Sequence, residues 1–139
     1  MSPALVRQCL VALSLLLPVP ALAQFAFTTQ AVNVRAGPDR AFPMVTWLPT
    51  RTRVTVAGCT EGWQWCDVVL GRSRGWVHSR YLSNDVRSRA VPIVRFSVAT
   101  YWDTHYRGRP WYADRSVWVD WGTPSFQPPP TRDRGTVAR

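Results

Sequence analysis

Hydrophobic and polar residues alternate over short stretches in the first half of the chain, a pattern typical of β-strands with one buried face. The alternation is clearest in Ala-Val-Asn-Val-Arg at 31–35 and in Arg-Val-Thr-Val-Ala at 53–57. Short apolar stretches also occupy 45–48, 65–70 and 75–78, so strand-like segments recur about every ten residues, with glycine-containing turns between them. This pattern predicts a mainly β fold, either a small barrel or a sandwich.

A segment rich in aromatic and arginine residues replaces this alternation in the second half of the chain. Within it, Ser97 is a suitable N-cap for a short helix over residues 98–106, and Pro110 would prevent the helix from continuing further. From Gly122 onward the chain is rich in proline and charged residues and has few apolar side chains to bury, which predicts disorder.

The N-terminal 23 residues have the layout of a secretory signal peptide. Arg7 precedes an apolar stretch that is shorter than the roughly 20 residues of a membrane-spanning helix, and Ala-Leu-Ala at 21–23 is a typical cleavage motif. We expect cleavage after Ala23 and an exported protein, periplasmic or secreted, that is not transmembrane afterwards. A lipoprotein is the alternative, but a lipid-acceptor cysteine would follow the apolar stretch, whereas Cys9 lies before it.

Signal cleavage would leave two cysteines, Cys59 and Cys66, in an oxidising compartment, which predicts a disulfide. They flank a glycine-containing turn between two β-rich segments, and this arrangement can bring their side chains together across a hairpin. A zinc site would need more ligands than His78 and His105 supply, so no metal or other cofactor is expected. A catalytic Cys66–His78 pair is an alternative that would require a free thiol.

Arginine dominates the charge of the chain. All 17 basic residues are arginine, against 8 acidic residues, for a net charge of +9. A general preference for arginine over lysine is one explanation, and an anionic partner is the other, because guanidinium groups pair well with carboxylates and phosphates. Outside the cytoplasm such partners are cell-wall polymers, lipopolysaccharide or phospholipid surfaces, so no nucleic acid is expected.

Three motifs occur in order along the chain: Asn-Val-Arg-Ala-Gly-Pro at 33–38, RVTVAGCTEGWQWCDV at 53–68 and GRSRGWVHSRYL at 71–82. Together they resemble the bacterial SH3 (SH3b) domain, in the form found in exported proteobacterial proteins, where a similar Arg/aromatic segment often follows the domain. The resemblance implies a small SH3-like β-barrel. The core residues we expect are Val34, Val54, Val56, Val68, Val77 and Leu82, with Trp65 and Trp76 adding large apolar side chains.

The chain therefore divides into five predicted segments. They are a signal peptide (1–23), an N-terminal lead-in (24–28), an SH3b-like β-barrel (29–84), an Arg/aromatic C-terminal extension with one short helix (85–121) and a Pro-rich disordered tail (122–139).

Bacterial SH3 domains are generally non-catalytic, and many bind peptidoglycan or peptides, so the resemblance implies an exported binding module for a cell-envelope ligand and not an enzyme. The sequence shows no carboxylate pair, phosphate-binding loop or nucleophile motif that would indicate catalysis. The candidate ligand-binding residues are Trp47, Trp63, Tyr81 and Arg35.

The alternative function is a structural or protein-interaction scaffold of the cell envelope. The aromatic and arginine residues of the extension would then dock on the barrel or bind a partner protein. Docking on the barrel is favoured, because a barrel of this size buries little apolar surface by itself.

Overall fold

A computed structural model describes Leu17, residues 24–83 and residues 91–130 of the chain. The predicted signal peptide, apart from Leu17, and the end of the predicted Pro-rich tail lie outside the described residues. No helix in the described part of the chain is long and apolar enough to cross a membrane.

Six antiparallel β-strands form a single sheet in the order β1-β4-β5-β6-β2-β3. The strands are β1 (Gln24–Phe27), β2 (Val32–Arg35), β3 (Met44–Leu48), β4 (Arg53–Cys59), β5 (Trp65–Leu70) and β6 (Ser73–His78). The sheet curls on itself, because Ala26 of one edge strand and Leu48 of the other lie in the same buried cluster. This architecture confirms the predicted mainly β, SH3-like fold.

Aliphatic side chains and the two cysteines fill the inside of the curled sheet. Burial alternates along β4, where Val54 and Val56 are buried and their neighbours Arg53 and Thr55 are not, as the sequence pattern predicted. All the aliphatic residues expected in the core belong to this cluster. Its buried members are Ala26, Val32, Val34, Leu48, Val54, Val56, Cys59, Cys66, Val68, Val77, Leu82 and Val91.

Cys59 and Cys66 form the predicted disulfide as a directly opposed pair on β4 and β5. Their Cα atoms are 4.0 Å apart, and neither residue is exposed to solvent. Cys59 also contacts the chain that leads into the extension. Its amide donates to the Pro92 carbonyl at 2.9 Å, and its carbonyl accepts from the Val94 amide at 2.8 Å. The cross-link therefore lies where the β4–β5 hairpin meets the extension.

The extension contains the helices α1 (Val98–His105) and α2 (Arg115–Trp118) and a 3₁₀ helix between them (Pro110–Asp114). Helix α1 begins as predicted, with Ser97 Oγ accepting from the Thr100 amide at 3.4 Å, and it ends one residue earlier than predicted. The 3₁₀ helix and α2 were not predicted, because each is too short to show a helical period in the sequence.

A second buried cluster joins the extension to the barrel. Phe42 of the barrel is stacked on Trp118, with 4.5 Å between ring centroids, and makes an edge contact with Trp102 at 6.3 Å. Trp102 donates its indole N–H to the Ala36 carbonyl at 2.9 Å. Phe126, from the predicted tail, packs on Trp118 at 5.2 Å. The described part of the extension thus docks on the barrel, the arrangement that the sequence favoured.

The Asn-Val-Arg-Ala-Gly-Pro motif shapes the β2–β3 loop, which carries Phe42. A Cβ on Gly37 would lie 2.5 Å from Cε2 of Phe42, so the absence of a side chain leaves space for the ring. The Asp39 carboxylate accepts from the Ala41 amide at 2.8 Å and stabilises the turn just before Phe42. The motif therefore positions the residue by which the barrel contacts the extension.

A buried carboxylate fixes the same interface. Asp67 on β5 accepts a hydrogen bond from the Arg74 guanidinium at 2.7 Å and another from the Tyr101 hydroxyl of α1, also at 2.7 Å. The Tyr106 hydroxyl donates to the Arg74 carbonyl at 2.7 Å. Burial is the main cause that raises the pKa of both tyrosine hydroxyls, so both remain protonated and act as donors.

If the extension is part of the folded domain, its central tryptophan should contribute strongly to stability. Trp102 is completely buried, whereas Trp47, on the edge strand β3, is 56% exposed. We expect Trp102→Ala to lower the free energy of unfolding by about 3–5 kcal/mol, and Trp47→Ala to change it by about 0.5 kcal/mol or less. Urea unfolding of both variants measures this difference. Equal, small effects would contradict an integral role for the extension.

The two tyrosine–aspartate hydrogen bonds of the extension provide a matched comparison. Tyr101 donates to buried Asp67 and Tyr112 donates to Asp103, each at 2.7 Å, but Asp103 is much more accessible to water. We expect Tyr101→Phe to lower the free energy of unfolding by about 1.5–3 kcal/mol, because the hydrogen bond is charge-assisted and buried. Tyr112→Phe should cost less, since water can replace its hydroxyl. Equal costs in urea unfolding would argue against a special role for the Asp67 interface.

Candidate functional site

The extension covers only part of the outer surface of the sheet, and a shallow groove of about 210 Å³ lies beside the covered part. The groove is bounded by β2, the β2–β3 loop, β5, β6 and the 3₁₀ helix Ser79–Tyr81. Its lining residues are Ala31, Val32, Asn33, Arg35, Arg40, Trp65, His78 and Tyr81.

The two-residue period of the strands explains why these side chains face the groove. In β2, Val34 is buried in the core, so its neighbours Asn33 and Arg35 face outward. On β5 and β6, Trp65 and His78 are directly opposed, and their ring centroids are 5.3 Å apart in an edge arrangement. One wall of the groove is therefore aromatic and the other is polar.

Hydrogen bonding at the end of β6 orients the histidine of the groove. Nδ1 of His78 accepts from the Arg80 amide at 3.2 Å, which caps the 3₁₀ helix and leaves the ring proton on Nε2. The His78 ring also lies 6.2 Å from the Tyr81 ring. Trp65, His78 and Tyr81 thus form a continuous row of rings, with a polar N–H near its centre.

The groove carries positive charge. Arg35 and Arg40 both line it, and none of the described residues that line it is acidic. Burial, and then the charge of Arg40, lower the pKa of Arg35 from its ordinary value. Burial, and then the charges of Arg80 and Arg40, lower the pKa of His78. At neutral pH the site therefore combines two guanidinium groups with a neutral imidazole.

Two of the four predicted ligand-binding residues, Arg35 and Tyr81, lie together in the groove. Trp47 pairs with Asn33 across β2 and β3, so its exposed ring stands on the same face at the edge of the groove. Trp63 lies elsewhere: the chain takes left-handed φ angles at Gly62 and Trp63, and the half-buried Trp63 ring packs against the barrel core.

The structure adds Arg40, Trp65 and His78 to the groove. Trp65 had been expected in the core, but it is only half-buried and lines the groove. The reason is the strand period, because Cys66 next to it occupies the inward position. Trp76 is buried as expected, although it lies under the extension, where it contacts Phe96 at 5.4 Å. The position of Arg40 depends on the loop conformation, which no sequence pattern indicates.

Catalysis by Cys66 and His78 does not fit this geometry. Cys66 is bonded to Cys59 and is buried in the core, whereas His78 faces the groove on the other side of the sheet. A disulfide sulfur is not a thiolate nucleophile.

The fold and the groove define a small β-barrel with a concave surface lined by aromatic and arginine side chains. Residues 30–83 match the family model described as Bacterial SH3 domain. The match spans strands β2 to β6 of the barrel, which is less than half of the chain, and it includes neither β1 nor the extension. A comparison with curated proteins found no match for the chain.

The two histidines should make the protein less stable at mildly acidic pH. Burial is the main cause that lowers the pKa of both His78 and His105 below the ordinary value of 6.5. As the pH falls through 6.5, the unfolded chain binds protons that the folded chain resists, so the free energy of unfolding decreases. We expect a decrease between about pH 7.5 and 5.5, and a smaller decrease in the His78→Asn/His105→Gln double variant. Urea unfolding across this range provides the measurement. An equal or steeper decrease in the double variant would contradict the assignment.

Proposed function

We propose that this protein is an exported, non-catalytic binding module that holds a cell-envelope ligand, peptidoglycan or a peptide, in the groove next to its extension. The observation that carries the proposal is the groove itself. Aromatic and arginine side chains line a concave surface that no described residue covers, on a barrel whose neighbouring surface packs against the extension.

The barrel supports the proposed binding role, and the disulfide supports the proposed export. Bacterial SH3 domains commonly act as binding modules for cell-wall or peptide ligands, and residues 30–83 match that family model. The Cys59–Cys66 disulfide is compatible with an exported protein, because such bonds persist mainly in oxidising compartments. The predicted signal peptide points in the same direction.

The groove chemistry suits recognition better than catalysis. Its rings can pack against sugar or peptide groups, and its guanidinium groups can pair with acidic groups. Among the described residues, the lining contains no carboxylate, cysteine or serine that the neutral His78 imidazole could activate. We therefore propose binding without bond cleavage.

Retention on purified sacculi provides the direct test. We expect wild-type protein to be retained at low and moderate salt, and Trp65→Ala to reduce retention because it removes the aromatic wall. Phe27→Ala is the matched control, since Phe27 is an exposed aromatic residue on β1 outside the groove. Complete release of wild-type protein at low salt would refute the proposal, and equal loss in both variants would remove the groove from it.

A scaffold role remains the second candidate, and the structure restricts how it would work. The inner face of the extension is buried against the barrel, so a partner protein would have to contact its outer face, where Val117 and Val119 are exposed. This candidate predicts that wild-type protein passes through sacculi but co-purifies with one envelope protein after cross-linking.

A further inference from the structure

The two arginines of the groove have no acidic partner among the described residues. The ion pairs in this part of the structure are Arg74–Asp67 and Arg115–Asp103, and both lie in or under the extension. Arg35 instead donates from Nη1 to the Phe42 carbonyl, at a long 3.4 Å. The groove therefore keeps two guanidinium groups whose positive charge is not neutralised within the described fold.

The loop between β2 and β3 holds these charges in place. Arg40 lies between Asp39, whose carboxylate is hydrogen-bonded to the Ala41 amide, and Phe42, which is stacked on Trp118. The Asp39 carboxylate is thus engaged within the loop and does not line the groove. Because both ends of this short segment are fixed, Arg40 is held near Arg35, and the two positive charges repel each other.

An anion bound to the two guanidinium groups would relieve this repulsion. The other lining residues indicate which chemical groups the ligand could carry besides the anionic one. His78 presents its Nε2–H, since its Nδ1 accepts from the Arg80 amide, and the Trp65 and Tyr81 rings are both neighbours of the imidazole. A guanidinium fork matches a planar carboxylate through two parallel hydrogen bonds. The adjoining rings can cover the uncharged part of the same ligand.

We infer that the groove recognises its ligand through a carboxylate held by Arg35 and Arg40, with the attached peptide or sugar packed on Trp65 and Tyr81. This inference rests on the proposed function and specifies its ligand class, the acidic stem peptides of peptidoglycan. Stem peptides fit because they are short chains that carry carboxylates beside uncharged groups, which suits a shallow site with one charged side and one aromatic wall.

The test uses the exported form of the full chain and soluble disaccharide-peptides released from peptidoglycan. One ligand sample keeps its free carboxylates, and the other has them converted to amides. Calorimetry with both samples is carried out on wild-type protein, Arg40→Ala, Arg35→Lys and Arg72→Ala. Arg72 is the matched control, because it is also exposed and also lies in a turn, but outside the groove.

We expect amidation and Arg40→Ala each to weaken binding by about tenfold or more, as the loss of a charge-assisted hydrogen bond would. Arg35→Lys should also weaken binding, since it keeps the charge but loses the fork. Arg72→Ala should leave affinity within about twofold, because the pairing is local and not a net-charge effect. On titration with the free-carboxylate ligand, the ring signals of His78 and Trp65 should shift in NMR spectra.

The outcomes separate this inference from the proposed function. Retention on sacculi with equal affinity for free and amidated ligands would overturn the carboxylate assignment alone. Equal losses of affinity in Arg40→Ala and Arg72→Ala would overturn the carboxylate assignment in favour of general charge attraction. Stronger competition by inorganic phosphate than by acetate would overturn it in favour of a phosphate ligand. Failure of wild-type protein to bind either sacculi or soluble fragments would overturn the proposed function itself.

Discussion

The packing of Phe42 against the extension is the contact on which both halves of this structure depend. Phe42 belongs to the barrel, yet its ring is surrounded by Phe96, Trp102, Trp118 and Trp121 of the extension. The same contact anchors the β2–β3 loop, whose Arg40 lines the groove two residues earlier. Because one buried ring serves both purposes, the conformation of the groove is linked to docking of the extension, although the described part of the extension contributes no lining residue to the groove.

The outer surface of β5 and β6 is divided between packing against the extension and lining the groove. The directly opposed pair Asp67 and Trp76 lies under the extension, whereas the next outward pair along the same strands, Trp65 and His78, lines the open groove. The boundary falls at Arg35, which pairs with Trp76 across β2 and β6 and also lines the groove. A surface that would otherwise be a broad aromatic patch is thereby reduced to a limited site.

Local patterns in the sequence predicted the features that depend on neighbouring residues. The strand period located the aliphatic core, two cysteines across a turn predicted the disulfide, and the Ser97 cap located α1. The same period, followed outward from Cys66, would also have placed Trp65 on the surface. Long-range packing was not predictable in this way. The groove joins residues from Ala31 to Tyr81, and the place of Arg40 in it depends on aromatic contacts with residues more than fifty positions later in the chain.

The positive charge of the groove depends on where the acidic residues lie, and not only on the high arginine content of the chain. A chain with 17 basic and 8 acidic residues would have arginines exposed in many places, and most of them would be freely solvated. Here Asp67 and Asp103 are engaged by Arg74 and Arg115 within the extension and its interface. Tyr101 of the extension also donates to Asp67, and the packing of the extension on Phe42 holds the loop that carries Arg40. Among the described residues, the lining of the groove therefore has two guanidinium groups and no neutralising carboxylate, which is the electrostatic condition for attracting an acidic ligand.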